Sequence, residues 1–485
     1  MRILFATSEM VPFSKTGGLA DVAGGLTKAL RKLGHEVAAI VPYYKVTRKK
    51  GFSTEDVDLP FPVPMSDREE YGEIFRLVQE DGSVVNFIGK EAYYDREQLY
   101  GTPQGDYPDN AERFIFFSKA VLQACKALKY KPDIIHCNDW QTGLVPVYLK
   151  TLQNIDPGFK KVATLFTIHN IAYQGLFWHL DMHLTNLSWD LFNPEGIEYY
   201  GKINLLKAGI VGSDIITTVS PRYAEEIQTP EFGYGLEGIL RKRSGRLFGV
   251  LNGADYEEWN PETDKYLAAN YSARDLSGKA KCKRDLLEQF GLPASNDAPL
   301  IGVVSRLADQ KGFDILAEVM NDIVRDGFQF VLLGTGEEKY HTLFSKMAKK
   351  HPDRVGIKLT FSNEIAHKIE GGADMFLMPS LYEPCGLNQM YSLKYGTAPV
   401  VRATGGLDDT IVDHPTSSRF GNGFKFRDYT SSALLEKLRQ ARKSYGNKEE
   451  WKRIMLNGMA CDFSWESSAR KYAELYQKAI LLKNS

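Results

Sequence analysis

The chain has 485 residues, of which 43% are hydrophobic, with 60 Lys and Arg against 61 Asp and Glu. That near-balance of charge gives no general reason to expect nucleic acid or a membrane surface as partner, so phosphate chemistry has to come from locally placed cations. One hydrophobic core rarely serves a chain of this length, and two domains are expected.

The opening "MRILFATSEM" carries too short an apolar run for a signal peptide, and no segment approaches the roughly twenty apolar residues of a membrane span. Cys125, Cys137, Cys282, Cys385 and Cys461 show neither a C-x-x-C pair nor zinc spacing, which fits reduced thiols. A soluble cytoplasmic protein is the expectation.

Strand "RILFAT" leads into "KTGGLADVAGG", Lys15 to Gly25, from which Leu19, Val22, Ala23, Leu26, Ala29, Leu30 and Leu33 mark one face of a helix. Strand "EVAAIV" follows. Backbone N–H groups at such a helix mouth favour an anion. Gly17 and Gly18 would allow close approach and Lys15 would add charge, although a Gly-Gly alone also fits a tight turn.

Further along, strand "DII" precedes His136, Asp139 and Trp140 in "HCNDWQTG". "VATLFTI" ends at His169 in "TIHNIAYQG", and "DIITTVS" and "LFGVLN" complete the first series. Trp140 beside Asp139 suits a sugar and equally suits a core. The polar segment Leu251 to Gly278 then interrupts the strands, placing a boundary near residue 255.

The second series is "LIGVVS", "FQFVLL", "ADMFLMP" and "APVVRA". Continuous apolar strands alternating with helix-length segments predict two α/β units with doubly wound parallel sheets. "RLADQKG" places Arg306 and Lys311 beyond a strand end, where a diphosphate could be neutralised; a solvated loop fits the same residues. In "SLYEPCGLNQ", Pro384 suits a first helical position, with Glu383 at the helix mouth and Gly386 in the first turn. "TGGLDD" repeats the earlier TGGL at Thr404, Gly405 and Gly406. "SWESSARKYAELYQKAILLKN" reads as a terminal helix.

Taken in order, "KTGGLADV", "HCNDWQTG", "TIHNIAYQG", "SRLADQKG", "GGAD", "YEPCGLNQ", "KYGT" and "TGGLDDT" resemble the bacterial glycogen synthase and plant starch synthase family. These are retaining glucosyltransferases of the GT-B fold, and the resemblance spans the whole chain. It implies two Rossmann-like domains facing a cleft, with residues 1–255 on the acceptor side, 256–463 on the donor side, and a terminal helix 464–485 docking back. It also implies ADP-glucose as donor and glycogen or another α-1,4-glucan as acceptor; with no Asp-x-Asp pair on an appropriate loop, neither a metal nor a cofactor is expected.

Carried over residue by residue, the resemblance puts Lys15, Gly17 and Gly18 against the sugar nucleotide, with Asp21 and Asn252 on the donor side. Arg306 and Lys311 would hold the diphosphate, Glu383 would stand beside the donor glucose, and His169 would lie near that sugar. Phe361 would stack on adenine. Asp139, Cys385, Gly386 and Leu387 would contact substrate, and Thr404, Gly405 and Gly406 would cover the distal phosphate and glucose. Asn138 and Gln141 stand where many members carry histidines, and Tyr391 where other GT-B enzymes often have a second glutamate. The two TGGL turns are thus expected to grip one donor, so that a bulky residue at Gly18 or Gly406 obstructs ligand more than fold. A UDP-glucose-dependent GT-B enzyme and a non-catalytic glucan-binding protein remain as alternatives.

Overall fold

The computed structural model describes residues 1–153, 156–295, 297–415 and 420–484. The chain divides into two compact units: Met1–Gly253 together with Trp465–Ser485, and Ala254–Ser464.

In the first unit the apolar runs become strands Arg2–Ala6, Glu36–Pro42, Ile134–Asn138, Ala163–Ile168, Ile215–Thr218 and Leu247–Gly249. All pair in parallel, with Arg2–Ala6 between Glu36–Pro42 and Ile134–Asn138. Only the start of "LFGVLN" is strand, and the rest is a loop. Beyond Glu36–Pro42 the sheet continues with Val84–Gly89 in parallel and then Arg68–Val78 in antiparallel, the latter also pairing Phe61–Met65 and Glu55–Asp56. These strands are not among those expected from the sequence. Arg68–Val78 is "REEYGEIFRLV", a half-exposed antiparallel strand whose charges break the apolar run expected of a buried one.

The first helix, Gly18–Lys32, buries its apolar stripe against that sheet. The terminal helix, Trp465–Asn484, belongs to this unit and buries Ala469, Tyr472 and Tyr476. Glycine makes the two helices fit: a Cβ on Gly25 would lie 2.1 Å from the Trp465 ring. His136 is fully buried and bonds Tyr476 Oη at 2.8 Å and Thr167 Oγ1 at 2.6 Å, so it fastens the terminal helix.

The second unit has a six-stranded parallel sheet ordered Val355–Lys358, Gln329–Leu333, Leu300–Val304, Met375–Met378, Ala398–Arg402 and Phe424–Phe426. Its core gathers Ile301, Phe313, Phe330, Leu332 and Leu377 among many others. In each unit, parallel strands send their carboxyl ends to one edge, where α/β proteins bind ligands.

Candidate functional site

In the first unit, strand Arg2–Ala6 runs into a loop organised by Glu9, a residue the sequence reading missed. Glu9 is 3% exposed. Its carboxylate accepts from the Thr16 N–H, from Thr16 Oγ1 at 2.6 Å, from the Gly17 N–H at 3.3 Å and from Tyr100 Oη at 2.7 Å. The amides of Thr16 and Gly17 are therefore already satisfied by a carboxylate of the chain itself. Glu9 stands three residues beyond the first strand, and no local pattern in the sequence marks it.

Lys15 lies half exposed in this loop, 2.7 Å from Asp21 Oδ1 on the first turn of the helix. Gly17 and Gly18 face open space: a Cβ at either would meet no heavy atom within 4 Å. The second glycine pair of the same stretch serves packing, since a Cβ on Gly24 would sit 2.4 Å from the Val11 side chain.

Asp139 and His169 follow neighbouring strands and hold each other. Asp139 adopts φ +55°, a left-handed conformation costly for a residue with a side chain, and its Oδ1 accepts the His169 N–H at 2.8 Å. His169 Nε2 is 2.9 Å from Asn138 Oδ1. Burial lowers the His169 pKa to about 3, so the ring is neutral. Burial raises Asp139 to about 7; the His169 and Asn170 amides oppose that shift and the charge of Glu9 adds to it. Trp140 packs at 4.9 Å from Phe114 and 5.6 Å from Phe177, ring to ring, and Gly175 approaches it closely, so the residue has a packing role. Asn252 is buried, and its Oδ1 lacks a hydrogen-bond partner, an acceptor left for a ligand donor.

In the second unit three loops interlock. Gly312 has φ +73°, and a Cβ there would meet the Pro379 carbonyl oxygen at 2.0 Å, so the 306–312 loop lies directly on the 379–387 loop. Leu381 N–H donates to Gln310 O at 2.9 Å, and Gln310 Nε2 donates to Tyr382 O at 3.1 Å. The outcome is an ion pair: Lys311 Nζ is 2.7 Å from Glu383 Oε2, which also accepts from Ser380 Oγ at 3.0 Å. Arg306 is exposed at the mouth of its loop. That loop is flanked by Gly334-Thr335-Gly336, another feature the sequence reading missed; Leu307 N–H donates to Thr335 O at 2.9 Å.

The expected helix at Pro384 is not there. The helix begins at Asn388, with Leu387 as its N-cap residue, and Gly386 at φ +72° turns the chain in the loop before it. Glu383 is thus a buried loop residue held by Lys311 and Ser380. Cys385, also buried, offers its carbonyl to Gln389 Nε2 at 3.0 Å.

The second TGGL turn differs from the expectation more sharply. A Cβ on Gly405 would lie 2.0 Å from the Glu383 carbonyl oxygen, and one on Gly406 would lie 2.1 Å from that of Cys385. The Gly406 N–H donates to the Glu383 and Pro384 carbonyls, both at 3.2 Å, and Thr404 is buried. These glycines let two backbones touch, so a bulky residue at Gly406 would break the fold before it met a ligand. Phe361, by contrast, is 87% exposed, just ahead of the Ser362 cap of helix Asn363–Gly372.

Tyr391 stacks on Trp259 with ring centroids 4.2 Å apart, and His367 stacks on Trp259 at 3.8 Å. His367 Nδ1 bonds Asp264 Oδ2 at 2.8 Å, and Tyr395 Oη donates to the same oxygen at 2.6 Å. Among the described residues, no group of three or more His, Cys, Asp or Glu forms a metal-binding cluster, and no helix is long and apolar enough to cross a membrane.

Residues 2–242 match the family model of the starch synthase catalytic domain, and residues 287–455 match that of glycosyl transferases group 1. Over 479 residues the chain is 50% identical to a glycogen synthase of Koribacter versatilis, covering 99% of this chain and 98% of that one. It is 47% identical to a glycogen synthase of Syntrophotalea carbinolica, covering 100% of both. The solved catalytic domain of starch synthase IV from Arabidopsis thaliana, bound to ADP and acarbose, matches with a TM-score of 0.89 at 34% identity over 99% of both chains. A sucrose-phosphate synthase from Thermosynechococcus elongatus shares the fold, with a TM-score of 0.60 at 18% identity.

Proposed function

We propose that this chain, which belongs to the glycogen synthase family of glucosyltransferases, transfers glucose from ADP-glucose to the non-reducing end of an α-1,4-glucan and releases ADP. The observation that carries the reading is the Lys311–Glu383 pair, set in a buried loop beyond the carboxyl ends of the second unit's strands. The ADP held by the starch synthase IV relative supports the choice of nucleotide.

Breaking a glucosyl–phosphate bond places positive charge on the sugar and negative charge on the leaving diphosphate. Lys311, fixed by Glu383, and Arg306 are assigned to that diphosphate, where preorganised cations lower the barrier. Lys15 and the open space beside Gly17 and Gly18 are assigned to the donor's phosphates or sugar, with Asp21 orienting Lys15. Phe361 is assigned to adenine, and Asn252 and His169 to the donor side. Asp139 is assigned to the glucan hydroxyls.

Glu383 is engaged by a lysine and a serine, so its role is to hold charge in place beside the donor glucose rather than to attack it. Retention by double displacement would need a free carboxylate on the opposite face of the sugar. The proposal is instead front-face attack, with the leaving phosphate oxygen taking the proton from the acceptor 4-hydroxyl. Initial rates with ADP-glucose and UDP-glucose, each with and without glycogen, test the reading. Glycogen-dependent ADP release is expected; faster turnover of UDP-glucose, or release indifferent to glycogen, would contradict it.

A further inference from the structure

The loop that carries Arg306 and Lys311 is gripped from two sides. Strand Leu300–Val304, which feeds it, lies between Gln329–Leu333 and Met375–Met378, so the loops after those two strands flank it. Toward Met375–Met378 stand the contacts with Pro379 and Glu383. Toward Gln329–Leu333 stands the start of helix Glu338–Lys350, with Glu337 as its N-cap residue. The backbones join first, since the Glu337 N–H donates to Leu307 O at 2.8 Å. Three side chains then converge on Asp309. Glu337 Oε1 accepts the Asp309 N–H at 3.3 Å, Tyr340 Oη donates to Asp309 Oδ1 at 2.6 Å, and Lys339 pairs with that same oxygen. Asp309 opens the short turn Asp309–Lys311, so whatever holds it also holds the backbone between the two cations.

These contacts are unequal. The side chains of Lys339 and Asp309 are 53% and 70% exposed, and water screens such a pair, which contributes little. Tyr340 is 5% exposed, and its ring lies in the core 5.4 Å from that of Phe313, the residue after Gly312. Phenylalanine would meet the packing need of that position, so the hydroxyl is the part that packing does not explain. A phenol donating to a carboxylate makes a strong, directed bond, and this one ties a surface turn to rigid core.

We propose that Tyr340, acting through Asp309, is a positioning residue for glucosyl transfer: it fixes the 306–312 loop so that Arg306 and Lys311 meet the leaving diphosphate. The inference rests on the reading that those two cations hold the diphosphate. Glu383 fixes the Lys311 ammonium, whereas the exposed Arg306 takes its place from the backbone of the loop. A cation lowers the barrier most when it already stands where charge develops, so that nothing has to rearrange as the bond breaks. A displacement of about 1 Å in such a group can cost about 100-fold in rate. Tyr340 touches no reacting atom in this account. Its effect passes through Asp309 to the loop.

The experiment uses the full chain with Tyr340→Phe, Asp309→Ala and the two combined. Phenylalanine keeps the ring in the core and Asp309 is exposed, so thermal midpoints should stay within about 2 °C of wild type. In each single variant kcat for glycogen-dependent ADP release is expected to fall about 5- to 20-fold. Calorimetric titration should show the Kd for ADP raised about 3- to 10-fold, with KM for glycogen unchanged. The double variant should lose no more than the worse single one, because both changes remove the same bond. Turnover and ADP affinity within about twofold of wild type in Tyr340→Phe would overturn the positioning role. A slower variant with a lowered midpoint and unchanged ADP affinity would overturn it too, since the hydroxyl would then serve the fold alone. Losses that add in the double variant would overturn the route through Asp309. A wild-type chain that neither binds ADP nor transfers glucose to glycogen would instead overturn the function proposed above, and this inference with it.

Discussion

The chain writes Thr-Gly-Gly-Leu twice, and the two copies do different work. At Thr16–Leu19 the glycines face open space, and the loop's order comes from a buried carboxylate, Glu9. At Thr404–Leu407 the glycines are buried and pressed against the backbone of Glu383 and Cys385. The first copy keeps room free beside a lysine. The second uses its room to bring one loop against another, which fixes Glu383 within reach of Lys311. Identical words thus differ in function because their neighbours differ.

The contrast breaks most readily at Gly406. Gly406→Val should destabilise the second unit by more than about 3 kcal/mol, because backbone must move to admit the side chain. Thermal or urea unfolding followed on this variant checks it, and a midpoint near that of the wild type would remove the close-approach argument.

Next in size are the residues that the second copy positions. Glu383→Ala should lower kcat by about 100-fold or more, and Lys311→Ala by a comparable factor. Circular dichroism and unfolding midpoints should show that the fold persists. Turnover within about threefold of wild type in either variant would return the pair to a structural role.

Smaller is the effect at the first copy's anchor. Glu9→Gln keeps an acceptor oxygen but loses the charge that holds the Thr16 and Gly17 amides, a change of about 1–2 kcal/mol. Faster hydrogen exchange at those amides is expected, with the second unit unaffected.

An effect of similar size depends on pH. Burial opposes charge on His367, but Asp264 and Glu258 outweigh it and raise its pKa to about 9. Tyr266 and the Trp259 ring also face the imidazole, and Glu370 lies within electrostatic range. Because the folded value lies above the unfolded one, near 6.5, the stabilisation is complete below that pH and fades as pH rises through 9. His367→Gln should therefore cost about 1–2 kcal/mol at pH 6 and much less at pH 10, read from urea midpoints. An equal cost at both pH values would show that the ring, not its charge, matters.

These outcomes track what the sequence could and could not reveal. Buried parallel strands announce themselves as apolar runs, so "RILFAT", "VATLFTI" and "LIGVVS" were legible. Arg68–Val78 was not, because an antiparallel strand with a solvated face mixes charge into its pattern. Lys311 and Glu383 could be named singly, but their pairing depends on Gly312 meeting Pro379, a contact 67 residues apart that no local pattern encodes. Pro384 misled because proline at a helix start and proline in a loop look alike until the left-handed Gly386 is seen. Glu9 went unnoticed because a lone acid after a strand carries no motif.

The most direct test of the contrast is calorimetric titration of ADP-glucose into Gly18→Val beside its thermal midpoint. Open space at Gly18 predicts a midpoint within about 2 °C of wild type and a Kd raised about 10-fold or more by the side chain standing where the donor comes. A lowered midpoint with wild-type affinity would show that the first turn, like the second, serves only the fold.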